Sequence, residues 1–266
     1  MTSLGVTPST IGRRLAWTVS DTLAITWRNL LTLVRLPQLL VFSTIEPVIF
    51  VLLFRYVFGG AITVPGVAYV DYLMPGIFVQ TVAFGAVNTG VGLAEDLRKG
   101  LIERFRSLPM ARSAVLAGRT LADLTRDAFV IALMCAVGFA VDFRVHTSAW
   151  AFLGAIGLLL LFAFAMTWVF ALIGMWTRNA ESAGAASFPI MAVLVFASSS
   201  FVPTAGMPDW LRAYADHQPV SAAADAARAL VLGGPTAGKV LTSVAWSAGI
   251  IAVFSPLAVW RYQRSA

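Results

Sequence analysis

Near the C-terminus, Gly233-Gly234-Pro235-Thr236-Ala237-Gly238-Lys239 comes close to the pattern G-x-x-x-x-G-K-[ST], whose backbone amides and lysine cradle nucleotide phosphates. Val240 follows, so the hydroxyl that would bind magnesium is missing. No buried strand precedes the segment and an apolar run follows it, so this chain is expected to hold no nucleotide and no cofactor of its own. His146 and His217 stand far apart, and neither has a Cys or His at metal-ligand spacing, so no metal site is expected. Ser198-Ser199-Ser200 lacks the G-x-S-x-G surroundings of an activated serine. Serines at the end of an apolar run more often pack helices or line a polar vestibule. Catalysis by this chain has no support.

What remains is charge in apolar surroundings. Glu46 lies near the middle of QLLVFSTIEPVIFVLLFRYVF, residues 38–58. A carboxylate at mid-bilayer costs about 3 kcal/mol or more. Glu46 must therefore be paired, protonated or turned to a wet interior, and no residue at i±3 or i±4 neutralises it. It either bonds to a neighbouring helix or lines a central cavity or a dimer seam. Asp123, Arg126 and Asp127 fall at i, i+3 and i+4, so one guanidinium can reach both carboxylates. The cluster reads as a self-neutralised structural knot or as a relay that carries loop movement into a helix bundle.

These residues need elements that hold them in a bilayer. Hydrophobic residues make up 59% of the 266, charged residues 12%, and the mean hydropathy is +0.81. A soluble domain carries about a quarter charged residues, so the composition is that of an integral membrane protein. Apolar runs at 38–58, 72–93, 119–141, 149–176, 183–202 and 240–260 are long enough for membrane helices of ~20 residues. Gln80 and Asn88 mark the second, and Pro47 can kink the first. Residues 1–14 form a polar tail without the apolar core or cleavage site of a signal peptide. Residues 15–36 are amphipathic, with Trp17 and Trp27 suited to headgroup depth, and are expected to lie in the membrane interface against lipid. Cys135 is the only cysteine and can form no intrachain disulfide.

Between the second and third runs lies AEDLRKGLIERFRSLPMARSAVLAGR, residues 94–119. Leu97, Leu101, Phe105 and Leu108 recur at spacings of 4, 4 and 3, the apolar stripe of an amphipathic helix. Glu95, Asp96, Arg98, Lys99, Glu103 and Arg106 cover its remaining surface and Pro109 ends it. A short linker would suffice here, so a charged helix reads as a docking element, with a solvated anchoring loop as the plainer alternative. Residues 203–239 are the other sizeable segment between runs. Stretches from Met207 to Tyr214 and from Ala222 to Leu232 read as short helices, dipping into the outer leaflet as a lid.

Lysine and arginine set the orientation. Thirteen lie on one side (Arg13, Arg14, Arg28, Arg35, six in 94–119, Arg178, Arg261, Arg264), against Arg144, Arg212, Arg228 and Lys239 on the other. That asymmetry puts both termini and residues 94–119 in the cytoplasm, and explains a pI near 10.1 without any nucleic-acid partner. The expected organisation is a tail and interfacial helix at 1–37, a six-span domain at 38–260 and a cytoplasmic tail at 261–266.

Several short motifs, in this order and at this spacing, resemble the permeases of type-2 ABC exporters, the daunorubicin/doxorubicin-resistance branch in particular. In the loop they are Gly100-Leu101-Ile102-Glu103-Arg104, Leu108-Pro109-Met110-Ala111-Arg112 and Gly118-Arg119. Beyond it they are Phe201-Val202-Pro203, Met207-Pro208-x-Trp210-Leu211, His217-Gln218-Pro219-Val220 and Ala226-Ala227-Arg228-Ala229-Leu230. Met110-Ala111 stands where the family usually has a small polar residue, a mild departure. The resemblance implies an all-α fold of six transmembrane helices, an N-terminal interfacial helix, a cytoplasmic coupling helix and short re-entrant outer helices bearing Pro203, Met207, Pro208, Trp210, His217, Pro219 and Arg228. It also implies a separate ATP-binding subunit that holds the ATP and magnesium, a second permease, identical or not, and a substrate path between the permeases.

The docking set for the ATPase subunit would be Glu95, Asp96, Arg98, Lys99, Leu101, Glu103, Arg104, Phe105, Arg106, Pro109 and Arg112. The path would take Glu46, Phe50, Phe78, Gln80, Phe84, Asn88, Phe196 and Phe201, phenylalanines with sparse polar groups that suit flat apolar drugs. The expected function is efflux of drugs or other amphipathic compounds, as in antibiotic resistance. Lipid or polysaccharide export by the same architecture is the alternative, then an ion-coupled transporter using Glu46 and the Asp123–Asp127 cluster.

Overall fold

A chain in lipid must satisfy every backbone N–H and C=O internally, and helices do so within one segment. The computed structural model describes residues 26–27, 37–62, 64–100, 112–177 and 179–264, and among them the regular structure is helical throughout. Helix α1 runs Pro37–Leu52 and continues into a wider π-type turn at Leu53–Phe58. Then come α2 (Tyr69–Arg98), α3 (Arg112–Ala140), α4 (Ala149–Thr177) and α5 (Ala180–Phe196). A 3-10 turn at Thr204–Gly206 leads to α6 (Asp209–Asp216), α7 (Pro219–Leu232) and α8 (Thr236–Arg264). By length and composition, α2, α4 and the Thr236–Tyr262 part of α8 can each cross a membrane, and α5 is a shorter apolar helix. Their starts follow local chemistry. Asn179 accepts from the Glu181 N–H at 3.0 Å to cap α5, and Pro219 opens α7 where no N–H is needed.

The hub is α2, which touches α1, α3, α4, α5 and α7. Its crossing with α4 is made by glycine on glycine. A Cβ on Gly174 would lie 2.1 Å from the Gly90 carbonyl oxygen, and one on Gly90 would lie 2.4 Å from that of Phe170. Lipid offers no hydrophobic drive between helices, so close backbone approach at small residues holds such pairs together. Leu73, Met74 and Ile77 of α2 form the buried core with Ile131 and Met134 of α3, Phe162 and Phe170 of α4, and Met191 of α5.

Two expectations need correction. The helix expected over 94–108 is broken: α2 ends at Arg98, the Gly100 N–H bonds the Leu97 carbonyl at 3.1 Å, and Gly100 takes φ +66°. That left-handed conformation suits glycine and stops a helix, so Leu97 is separated from the rest of its stripe. Second, α7 is no surface lid. Val220, Ala223, Ala224, Ala226 and Ala227 are buried, and the helix packs on α2, α4 and α8. The segment 233–239, a near-match to a phosphate loop, forms a tight link between α7 and α8. Gly233 and Gly234 take φ +93° and +102°, and Gly238 and Lys239 already belong to α8. Of the interfacial segment only Thr26 and Trp27 are described. Both are helical, Trp27 is exposed, and the Thr26 hydroxyl donates to the Gly118 carbonyl of α3 at 3.0 Å.

Candidate functional site

Positions 85, 89, 92 and 96 of α2, at spacings of 4, 3 and 4, form one stripe of the helix. They meet Arg119, Asp123, Arg126 and Asp127 on antiparallel α3. Asp96 bonds the Arg119 guanidinium, and Gly92 leaves it room, since a Cβ there would collide with Nη2. One turn on, the Thr89 hydroxyl donates to Asp123 Oδ2 at 2.8 Å. Arg126 then holds Asp123 at 3.4 Å and Asp127 at 3.0 Å, and its Nη2 donates to the Gly85 carbonyl at 3.1 Å. The expected reach of Arg126 to both carboxylates is present. Beyond it, the sequence reading missed the matching stripe on α2, which turns the cluster into a continuous polar seam.

Below the seam, the α2 terminus carries part of the docking set. Arg98 bonds Glu95 at 2.8 Å and Lys99 approaches it at 3.3 Å. Arg112 opens α3. Leu101, Glu103, Arg104, Phe105, Arg106 and Pro109 lie outside the described residues.

The seam leads into a small open cleft between α1, α2 and α3. Its lining brings together Glu46, Gln80, Phe84, Asn88, Arg126 and Asp127, with Pro47, Thr81, Gly85 and Val130 between them. Glu46 and Asn88 are exposed there, whereas Gln80 is buried. Half of the expected path residues thus share one site with the charged cluster. The others do not. Phe50, Phe196 and Phe201 stack with Phe54 in a separate aromatic group, Phe54 and Phe201 lying 4.6 Å apart and nearly parallel. Phe78 is buried in the core, edge-on to Phe143.

At the opposite end of α2, the turn that follows α5 exposes carbonyls that no helix can satisfy. Buried Arg228 of α7 donates to the carbonyls of Ser199, Ser200 and Tyr72, bonds Asp225 at 2.8 Å and lies 3.7 Å from the Tyr72 ring centroid. The Tyr72 hydroxyl donates to the Ser199 carbonyl, the Tyr69 hydroxyl to that of Phe201, and the Gln218 amide to those of Leu194 and Ala197. Gly76 admits this turn, because a Cβ there would lie 1.9 Å from the Ser200 oxygen. Ser198-Ser199-Ser200 is therefore an anchored turn. Nearby, buried Asp71 accepts from the Arg144 N–H and pairs with His146 at 2.8 Å, which gives His146 a structural partner.

The remaining outer residues shape α6. Pro203 and Met207 flank the 3-10 turn, Pro208 and His217 bound the helix, and Trp210 on it is 74% exposed. Pro219 opens α7.

Apolar helices long enough to span a bilayer, with a polar seam along one of them, mark a membrane protein. Residues 20–232 match the ABC-2 type transporter family. The chain belongs to that family, as a multi-pass permease. It is 35% identical over 248 residues to the daunorubicin resistance ABC transporter permease protein DrrB1 of Streptomyces coeruleorubidus, covering 93% of this chain and 88% of the relative. It is 27% identical over 232 residues to the probable doxorubicin resistance ABC transporter permease protein DrrC of Mycobacterium tuberculosis H37Rv, covering 84% and 81%.

Proposed function

We propose that this chain is the six-span permease of an ATP-driven exporter that expels drugs or other amphipathic compounds, with both termini in the cytoplasm. A separate ABC subunit binds ATP and magnesium and hydrolyses the ATP, and a second permease completes the membrane core. The observation that carries this reading is the similarity to a daunorubicin resistance permease over 93% of the chain, which includes residues 99–111. The geometry supplies a route for the force. Residues 99–111 link α2 to α3 in sequence, and near this link Asp96 and Arg119 clamp the two helices together. A push from the ATPase on this segment enters both helices at once, and the rungs at Thr89–Asp123 and Gly85–Arg126 carry it to the cleft at Glu46. Because the rungs are hydrogen bonds between rigid helices, the pair moves as a unit.

The test is co-purification. The tagged chain, gently solubilised from native membranes, is expected to bring a stoichiometric ATP-binding subunit with it. A chain carrying Glu103→Arg with Leu101→Asp should insert normally and lose that subunit. If no ATPase accompanies the wild-type chain while other complexes survive, and transport instead collapses with an uncoupler, an ion-coupled mechanism replaces this one.

A further inference from the structure

We infer that the cleft between α1, α2 and α3 recognises the protonated amine of an amphipathic ligand, with Glu46 supplying the charge and the Gln80 side-chain carbonyl accepting one of the ammonium hydrogens. The inference rests on the export reading and narrows its substrate class to cations bearing N–H donors.

Charge is the first ground. Three ionisable side chains line the cleft: Glu46, Asp127 and Arg126. Arg126 is held by Asp123 on one nitrogen and by Asp127 and the Gly85 carbonyl on another. It makes no ion pair with Glu46, which has no partner among the described residues. The three lining groups sum to −1, and Asp123, which shares Arg126, adds a further negative charge; of these three carboxylates only Glu46 has no cationic partner among the described residues. An anionic ligand would be repelled, and a neutral one would leave Glu46 uncompensated in a low-dielectric setting where charge is felt strongly.

The second ground is independent of charge. Gln80 is 2% exposed, and its Oε1 has no hydrogen-bond partner among the described residues although it lies against the cleft. A buried acceptor left unmade costs about 1–3 kcal/mol, so such an atom marks a place where a donor is missing. An ammonium with hydrogens satisfies the carboxylate and this carbonyl together. A quaternary ammonium satisfies only the first.

Depth and walls suit such a ligand. Gln80 lies eleven residues into the 30-residue α2, roughly 16 Å along a helix of about 45 Å, which is bilayer interior. Phe84 flanks the polar groups and contacts Phe188 of α5 with centroids 5.9 Å apart, offering ring faces to an apolar body and to the cation itself.

The experiment uses the full permease with its co-purified ATPase in lipid nanodiscs. The probes are daunorubicin, whose amino sugar is a cation at neutral pH, and its neutral N-acetyl derivative. Wild-type protein is expected to bind the amine at least tenfold more tightly than the amide, by the change in probe fluorescence. Glu46→Gln should lower amine affinity to the level of the amide while leaving the amide unchanged, which also shows the site still folded. Glu46→Asp should retain the preference, and Gln80→Leu should weaken the amine several-fold. Equal wild-type affinity for the two probes, or a preference that survives Glu46→Gln, overturns the inference and leaves the export reading standing. Failure to bind or transport either probe removes the export reading for such drugs, and the inference with it.

Discussion

Arg228 shows how much one side chain can hold at the ends of membrane helices. It satisfies the carbonyls of Tyr72, Ser199 and Ser200 with one planar group, and its charge is shared between Asp225 and the Tyr72 ring. Lysine cannot copy a fixed fork of donors. Arg228→Met should therefore destabilise the chain by about 3 kcal/mol, the cost of leaving buried partners unmatched, and Arg228→Lys by nearly as much. Asp225→Asn should cost far less, because Asp225 is half-exposed. Thermal unfolding of the detergent-purified chain, followed by size exclusion, reads these as midpoint shifts of several degrees. An Arg228→Met midpoint equal to wild type would mean that the turn after α5 is held by the tyrosines alone. The sequence marks Arg228 as one residue of an outer motif, with nothing to say what it holds. Its partner Tyr72 is 156 residues away, and no periodicity connects them. Asp123, Arg126 and Asp127 were legible because all their geometry lies within one helical turn.

At the scale of elements, the α2–α3 pair makes a sharper demand than either helix alone. Its rungs sit where the 3.6-residue period brings both stripes face to face, and Asp96–Arg119 closes the end beside residues 99–111. Asp96→Arg would set two guanidiniums against each other, and Arg119→Asp two carboxylates. Each single swap should destabilise the chain, and the double swap should recover at least about 1 kcal/mol of the summed loss, the range seen for residues in contact. The functional expectation follows the same sign: drug-stimulated ATPase activity falls in each single variant and returns in the double. Equal loss in all three would show that the rung is incidental. The long helices were readable because hydropathy alone marks a segment that must cross lipid. The break at Gly100 was masked by an apolar stripe that continues through it, and only the left-handed turn there reveals it. The lid reading of α7 leaves its run of alanines out of account. In a bilayer, small residues pack backbones closely, and that is what buries it.

For the whole molecule, an even number of crossings makes a claim that the packing of α2, α4 and α8 does not by itself settle. Thirteen basic residues on one side against four on the other predict that residues 94–119 and both termini face the cytoplasm, with 203–239 outside. Arg98 at the end of α2 and Arg261 and Arg264 at the end of α8 would then share one interface, with the α2 seam running outward to the cleft and to the Arg228 turn beyond it. The chain suits a direct test, because its only cysteine, Cys135, is buried and can be replaced by alanine. In that background a single cysteine at Lys239, an exposed position early in α8, should react with a membrane-impermeant maleimide on intact cells. A cysteine at Ser107 should react only after permeabilisation. Labelling of Ser107→Cys from outside would invert the orientation and put the proposed docking segment beyond the reach of any ATPase. Labelling of both positions from the same side would mean an even number of crossings between them, and a third, fourth or fifth run that enters the bilayer without spanning it.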